Sequence, residues 1–213
     1  MYRKLVKRLI DLIFTLMAMP FMVILIFLIG PIIYLEDRGS IFYNAKRLGK
    51  NGKIYTMYKF RSMKINAPDL RNNDGSTFNS KDDPRLTRVG SFLRRTSLDE
   101  TPQILNVLKG DMSLIGPRPD LPGALLDYDE NDKKKLSVRP GITGYSQAFY
   151  RNSIPQEQKF KNDVYYVENI SFKLDIKILF ETLMSVLKRK HIYTEKVPSG
   201  DMDISSLKKN ENL

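Results

Sequence analysis

The sequence contains no cysteine and only one histidine among its 213 residues. The absence of cysteine excludes a disulfide scaffold, a thiolate metal site and a cysteine nucleophile. With His191 as the one imidazole, the sequence also argues against a histidine-based zinc site or a Ser-His-Asp triad, and we interpret His191 as an incidental surface residue. Any catalysis must then depend on carboxylates, basic residues, hydroxyls or a bound cation.

Acidic residues are outnumbered by basic ones, 24 against 35, which gives a formal net charge of +11. A strongly basic protein favours anionic partners, such as nucleic acid, lipid headgroups or phosphorylated substrates. The length suffices for one ordinary domain with an anchor and a tail. We divide the chain into a membrane-anchoring segment over 1–38, a domain over 39–192 and a polar tail, expected to be disordered, over 193–213.

Charged residues are absent from Leu12 to Leu35, where nearly every position is apolar. A run of this length exceeds the roughly 20 residues that a helix needs to cross a bilayer. It is too long for the apolar part of a signal peptide, and no small-residue cleavage site follows it. The simplest prediction is one transmembrane helix.

Two features favour a bent helix that enters the membrane and returns to the same side. Positive charge prefers the cytoplasmic side, yet it flanks both ends of the apolar run. The flanking residues are Arg3, Lys4, Lys7 and Arg8 before the run, and Lys46, Arg47, Lys50 and Lys53 after it. Pro20 removes one helical donor and crowds the carbonyl of Leu16, so a break is expected at Met19–Pro20, with Thr15 helping to accommodate it. A kinked but crossing helix remains the alternative.

The remaining pattern predicts an α+β fold with a small mixed domain that contains a β-hairpin. Residues 40–47 and 53–60 are strand-like, and Gly49–Gly52 joins them with an Asn-Gly turn signal. The polar stretch Asn66–Pro84 is long enough to be a lid, a binding loop or a mobile segment.

Three further segments have helical patterns. Arg85–Arg95 is a basic amphipathic helix that suits a headgroup interface, although a short helix packed on the core has the same pattern. Asp99–Leu108 has Ile104, Leu105 and Leu108 as its apolar stripe. Ser171–Lys190 is a second amphipathic helix, which either packs on the domain or lies on the membrane.

Asp99 and Glu100 form the first candidate site. Ser97 followed by Glu100 is typical of a capping box, and Pro102 belongs near a helix start, so a purely structural role fits the pattern. The same position favours ionised carboxylates beside a phosphate. Adjacent carboxylates also allow one to attack while the other holds a divalent cation.

Candidate cations lie in the turn Gly116–Pro119 and in a predicted strand much earlier in the chain, which ends near residue 60. Prolines on both sides of Arg118 stiffen the backbone, and arginine matches phosphate bidentately, although a rigid turn with a solvated arginine is the plain alternative. Lys59 and Arg61 are expected on one face of a strand, because side chains alternate there.

Five motifs in order resemble the monotopic phosphoglycosyl transferases, also called the bacterial sugar transferase family. The resemblance covers about residues 3 to 190. Its motifs are Lys7-Arg8 with Asp11, Lys59-Phe-Arg-Ser-Met63, Phe92-Leu-Arg-Arg-Thr-Ser-Leu-Asp-Glu-Thr-Pro-Gln103, Gly110-Asp-Met-Ser-Leu-Ile-Gly-Pro-Arg-Pro119 and Arg139-Pro-Gly-Ile-Thr-Gly144.

The resemblance implies a two-step transfer of a sugar phosphate from a UDP-sugar to polyprenyl phosphate. In it, Asp99 attacks the sugar-proximal phosphate and releases UMP, and Glu100 is associated with Mg²⁺, so that both carboxylates are candidate metal ligands. Arg118 is implied as a phosphate ligand, followed by Arg94, Arg151, Lys59 and Arg61. The family's anchor breaks at a Ser-Pro pair, where this sequence has Met19-Pro20.

The resemblance also implies location and partners. The expected site is the bacterial inner membrane, with inner-membrane lipid as a partner, the catalytic domain facing the cytoplasm and no nucleic acid partner. The main alternative is a membrane-tethered basic module that binds anionic lipid or nucleic acid without catalysis. A glycosyltransferase of another fold is a second alternative, but no alternating βαβ pattern is present. The sugar, the glycan pathway and the oligomeric state stay open.

Overall fold

A computed structural model describes residues 2–70, 78, 80, 82–151 and 153–188. Within these residues, a π-helical turn at Tyr2–Val6 is followed by six α-helices and four strands, besides short 3₁₀ segments: α1 Lys7–Asp37, β1 Phe42–Leu48, β2 Ile54–Phe60, α2 Arg88–Thr96, α3 Ile104–Lys109, β3 Ser113–Ile115, β4 Gly141–Thr143, α4 Tyr145–Phe149, α5 Gln156–Glu168 and α6 Phe172–Lys188. This mixture of helices with small sheets confirms the predicted α+β class. The tail 193–213, His191 and most of the predicted loop after residue 70 lie outside the described residues.

Helix α1 is the predicted apolar anchor. Its 31 residues correspond to about 46 Å of helix, more than the roughly 30 Å of bilayer hydrocarbon. Within the described residues it is the one helix long and apolar enough to cross a membrane, and most of its apolar side chains are exposed. Met19 and Pro20 lie inside α1, so the break predicted there is not an interruption of the helix.

Both ends of α1 contact the same domain. Near the start, Arg8 Nη1 donates to the carbonyl oxygen of Val107 at 2.7 Å, and Asp11 accepts from Ser113 Oγ at 2.8 Å. Near the end, an apolar cluster packs α1 against β2 and α2. Its buried members are Leu25, Ile29, Ile33, Phe60 and Leu93.

The predicted hairpin is present. Strands β1 and β2 pair antiparallel from Phe42 opposite Phe60 to Leu48 opposite Ile54. Asn51 and Gly52 in the turn have φ of 58° and 74°, conformations that these two residue types tolerate best. The hairpin supplies one wall of the domain core.

Helix α3 is tied to the hairpin by a buried amide. Asn106 is fully buried, accepts from the Tyr58 N–H at 2.9 Å and donates to the Thr56 carbonyl at 2.7 Å. Val107 beside it is also fully buried, whereas Leu108 is 37% exposed. The buried face of α3 is therefore different from the predicted apolar stripe.

Helices α2 and α6 have different environments. Leu93 of α2 is completely buried in the cluster with α1, which matches the core-packed alternative for this helix. Arg85 precedes α2 and is buried in an ion pair with Asp83, rather than lying on a basic helical face. In α6, Ile178 is buried while Phe180 is 60% exposed, so this helix has both a core face and an exposed apolar face.

Strands β3 and β4 form a short parallel pair, in which Ser113 pairs with Gly141 and Ile115 with Thr143. Each strand has three residues, too few for an alternating pattern to reveal it. Their pairing places the turn after β3 beside the chain that enters β4.

Candidate active site

Asp99 and Glu100 lie on a 3₁₀ turn, Leu98–Gln103, that follows α2. Ser97 joins the two elements in a left-handed conformation with φ of 59°, and its side chain makes no capping bond to the turn. A helix-capping residue normally has an extended backbone, so the capping box is not formed. Asp99 is 3% exposed. Asp99 is therefore buried, and the acidic pair lacks the structural role that its pattern suggested.

Lys59, near the end of β2, bridges the two carboxylates. Its Nζ atom lies 3.0 Å from Asp99 Oδ2 and 3.1 Å from Glu100 Oε1. Burial lowers the pKa of Lys59, but the two carboxylates raise it by more, so the lysine stays charged. Lys59 was expected to bind substrate phosphate; in this structure its ammonium group lies between the two carboxylates of the candidate site.

Glu100 is held in its ionised form. Burial raises its pKa, but the charges of Lys59 and Arg118 outweigh burial and lower the pKa to about 2. Its side chain keeps 24% exposure, so the carboxylate is accessible from solvent. At neutral pH this group is an anion facing an open side of the site.

Arg118 stands on that open side. Its Nη2 atom lies 3.9 Å from Glu100 Oε1, and its side chain is 52% exposed. The turn that carries it is bonded to the neighbouring chain, because the Gly116 N–H donates to the Thr143 carbonyl and the Gly141 N–H donates to the Pro117 carbonyl, each at 2.9 Å. A fixed backbone with an exposed guanidinium suits the recognition of a phosphate.

Two further arginines add positive charge around the acidic pair. Arg94 of α2 donates from Nε to Ser62 Oγ at 3.1 Å, and its charge helps to lower the pKa of Glu100. Arg151 donates to Ser97 Oγ at 3.5 Å; burial lowers its pKa, while Glu100 opposes that effect. The site thus collects four cations from separate segments around one acidic pair.

Arg61 is not part of this group. Its guanidinium binds Asp37 at the end of α1, with Nη2 2.6 Å from Oδ1, and its Nε donates to the Ser40 carbonyl. The expected shared face with Lys59 fails because β2 ends at Phe60, after which strand alternation no longer applies. Arg61 was expected to bind substrate phosphate; in this structure its guanidinium lies at the end of α1 rather than at the acidic pair.

The acidic pair fits a magnesium ion shared with a phosphorylated ligand. Among the described residues, no group of three or more acidic or histidine side chains is arranged to hold a metal ion. Magnesium is commonly bound by one or two carboxylates together with substrate phosphates and water. Asp99 and Glu100 are two adjacent oxygen donors of that kind, with an open side at Glu100.

A buried ion-pair network behind Arg118 was missed by sequence reasoning. Lys135 is 3% exposed, and its Nζ lies 2.5 Å from Asp120 Oδ2 and 2.7 Å from Asp163 Oδ2. Burial raises the pKa of Asp163 to about 6, even though Lys135 opposes that effect. In the sequence Lys135 follows two other lysines, so nothing local distinguishes it from a solvated charge run.

The chain is similar in sequence to known sugar transferases. The sequence profile of the family described as bacterial sugar transferase matches residues 2–189. The chain is 40% identical over 206 residues to an uncharacterized sugar transferase, EpsL, of Bacillus subtilis, covering 94% of this chain and 98% of that protein.

Two further relatives have more specific names. The chain is 42% identical over 169 residues to the undecaprenyl-phosphate galactose phosphotransferase of Salmonella typhimurium, covering 74% of this chain but only 36% of that longer protein. It is 36% identical over 198 residues to the exopolysaccharide production protein ExoY of Sinorhizobium fredii, covering 88% of each.

Proposed function

This chain belongs to the bacterial sugar transferase family, and on that premise we propose that it transfers a sugar 1-phosphate from a UDP-sugar to polyprenyl phosphate in a membrane. The observation that carries the proposal is the Asp99–Glu100 pair bridged by Lys59 at 3.0 and 3.1 Å. The phosphotransferase name of the Salmonella relative supports the reaction class. The product would be the lipid-linked starting unit of a glycan such as an exopolysaccharide.

Asp99 is the proposed nucleophile. One of its carboxylate oxygens bonds to the sugar-proximal phosphorus, while the bond from that phosphorus to the bridging oxygen breaks and UMP leaves with the electron pair. A phosphate oxygen of polyprenyl phosphate then attacks the same phosphorus. The bond to Asp99 breaks, and the carboxylate is regenerated.

The surrounding residues stabilise the charge that this reaction moves. Lys59 fixes both carboxylates, and Arg118 presents exposed donors beside them for the diphosphate. Glu100, with Asp99, would hold Mg²⁺ together with substrate phosphates. When bound, the ion would neutralise charge on the phosphate oxygens. Arg94 and Arg151 are assigned to further substrate phosphate oxygens.

We also propose that α1 re-enters the membrane rather than crossing it. A crossing helix would separate its two ends by about 30 Å of hydrocarbon. Here Arg8 near one end and Asp37 at the other both bind the same domain. The exposed apolar face of α6 would then lie at the headgroup layer, at the depth of the lipid phosphate.

A cytoplasmic orientation at the inner membrane follows from the same proposal. Basic residues flank both ends of α1, and positive charge favours the cytoplasmic side. The catalytic domain then lies where UDP-sugars are made, while the lipid acceptor reaches the site from the membrane.

The two alternatives, a non-catalytic basic module and a glycosyltransferase of another fold, are less well supported. A basic module that only binds anionic surfaces would expose its cations, yet Lys59 and Arg61 are enclosed by carboxylates of the chain itself. A nucleotide-binding α/β glycosyltransferase would need a larger parallel sheet. The described residues contain two sheets of two strands each.

The decisive experiment measures UMP release from a panel of UDP-sugars with Mg²⁺, in the presence and absence of polyprenyl phosphate. UDP-galactose is the first choice, because a relative's name specifies that sugar. Wild type should release about one UMP per enzyme without acceptor and turn over with it. Asp99→Asn should release none, whereas Asp127→Asn, at an exposed position, should behave as wild type. Equal release by wild type and Asp99→Asn would refute Asp99 as the nucleophile.

A further inference from the structure

Arg61 is buried at the junction between the anchor and the domain. It is 7% exposed, and its guanidinium contacts both carboxylate oxygens of Asp37. Its remaining bonds go to main-chain carbonyls of Ser40 and Met63. A methyl group on Gly39 would lie 2.7 Å from Nη2, so the chain leaving α1 passes directly against the guanidinium. Arg61 and Asp37 together are called the anchor clamp below.

The residues on either side of Arg61 reach the active site. Lys59, two residues earlier, binds both members of the acidic pair. Ser62, one residue later, accepts the hydrogen bond from Arg94. Arg61 therefore connects the end of α1 to the part of the chain that carries residues of the site.

A second connection begins at Glu36, next to Asp37. Its carboxylate accepts from the N–H groups of Arg88 at 2.6 Å and Val89 at 3.3 Å, at the start of α2. A carboxylate at a helix N-terminus is stabilised by the free N–H groups and the helix dipole. Helix α2 carries Arg94 and ends directly before the turn that holds Asp99. The last two residues of α1 are thus connected to the site in two ways. Asp37 contacts Arg61, between Lys59 and Ser62, and Glu36 contacts the start of α2.

We propose that the anchor clamp sets the height of the acidic pair relative to the membrane and thereby the access of polyprenyl phosphate. This inference rests on the proposed function. The lipid phosphate is confined to headgroup depth, whereas a UDP-sugar arrives from solution. A change in the register between α1 and the domain would therefore impair the second step more than the first. Asp37 and Arg61 act as positioning residues and touch neither substrate.

The test measures the two steps separately in lipid nanodiscs. UMP release is followed in a single turnover without acceptor, and transfer is followed with long-chain polyprenyl phosphate. Arg61→Lys keeps the charge but loses the bidentate geometry, Asp37→Asn removes the charge, and Gly39→Ala introduces the steric conflict without altering either partner. We expect UMP release within about threefold of wild type and lipid transfer lowered by about tenfold or more, since the bidentate pair fixes geometry as well as charge.

Two controls separate positioning from a general loss of structure. Lys161→Gln breaks an exposed ion pair with Glu157 and should change neither step. A short-chain, water-soluble polyprenyl phosphate should restore transfer by the clamp variants, because it is not confined to headgroup depth. Equal losses in both steps, or a transfer defect that persists with the soluble acceptor, would overturn the clamp proposal. Absence of UMP release by wild type would instead overturn the proposed function.

Discussion

Replacing Lys59 with methionine removes the cation between the two acidic residues while keeping an unbranched apolar side chain of similar length. In the wild type, Nζ lies 3.0 Å from Asp99 Oδ2 and 3.1 Å from Glu100 Oε1. Without it, two adjacent and largely enclosed carboxylates repel each other and lack their closest counter-charge. We expect the variant to be less stable, less active and sensitive to mildly acidic pH.

The size of the effect follows from Glu100. Burial raises its pKa, yet Lys59 and Arg118 lower it from an ordinary 4.5 to about 2. That difference corresponds to about 3 kcal/mol of folding free energy. Because the folded pKa is the depressed one, the contribution is complete above about pH 4.5 and is lost as the pH falls toward 2. Lys59 lowers the pKa of Glu100 more than Arg118 does, so its removal should eliminate much of this stabilisation.

The assay is UMP release across pH 4 to 8 at constant ionic strength, with unfolding measured by denaturant at the same pH values. For Lys59→Met we expect kcat/KM to fall by about 100-fold at pH 7 and an acid limb to enter the measured range at about pH 4 to 5, whereas Glu100 of the wild type, with a pKa of about 2, gives none there. Lys53→Met, at an exposed lysine of the hairpin, is the matched control. A Lys59→Met variant whose kcat/KM stays independent of pH down to pH 4 would refute the assignment of Lys59 as the group that keeps Glu100 ionised.

Three further predictions follow from other contacts. Arg118→Ala should lower kcat/KM by about 100-fold with little change in the melting temperature, because the side chain is 52% exposed, and Arg118→Lys should recover only part of the loss. Asn106→Ala should lower the free energy of unfolding by about 2–3 kcal/mol in denaturant titrations, because it leaves the Tyr58 N–H and the Thr56 carbonyl without a buried partner. Chelation with EDTA should abolish UMP release, and added Mg²⁺ should restore it; release that persists in EDTA would contradict the magnesium assignment.

Local features of the fold were predictable from sequence. The β1–β2 hairpin follows from two adjacent strand-like segments and an Asn-Gly turn, all within about 20 residues of chain. The β3–β4 pair was not predicted, since two strands of three residues separated by a long connection leave no periodic signal. The same limit explains α3, whose buried face is set by the hairpin that covers it.

The candidate site shows a similar division. Asp99, Glu100, Lys59 and Arg118 were identified through motifs, and the structure brings them together. The pairing of Arg61 with Asp37 was not predicted, because Asp37 is 24 residues away and belongs to the anchor. Pairings of this kind depend on tertiary structure, which local charge patterns do not encode.

The contacts at the beginning of α1 have a consequence for the order of biosynthesis. Arg8 is held by a residue 99 positions later in the chain, Asp11 by one 102 positions later and Lys7 by Asp175, 168 positions later. When α1 leaves the ribosome, none of these partners has yet been made, and the helix is long and apolar enough to cross the bilayer. Its first residues are therefore secured only after most of the domain has been translated. The contacts that fix the start of α1 to the domain therefore form late, well after the helix itself has been made.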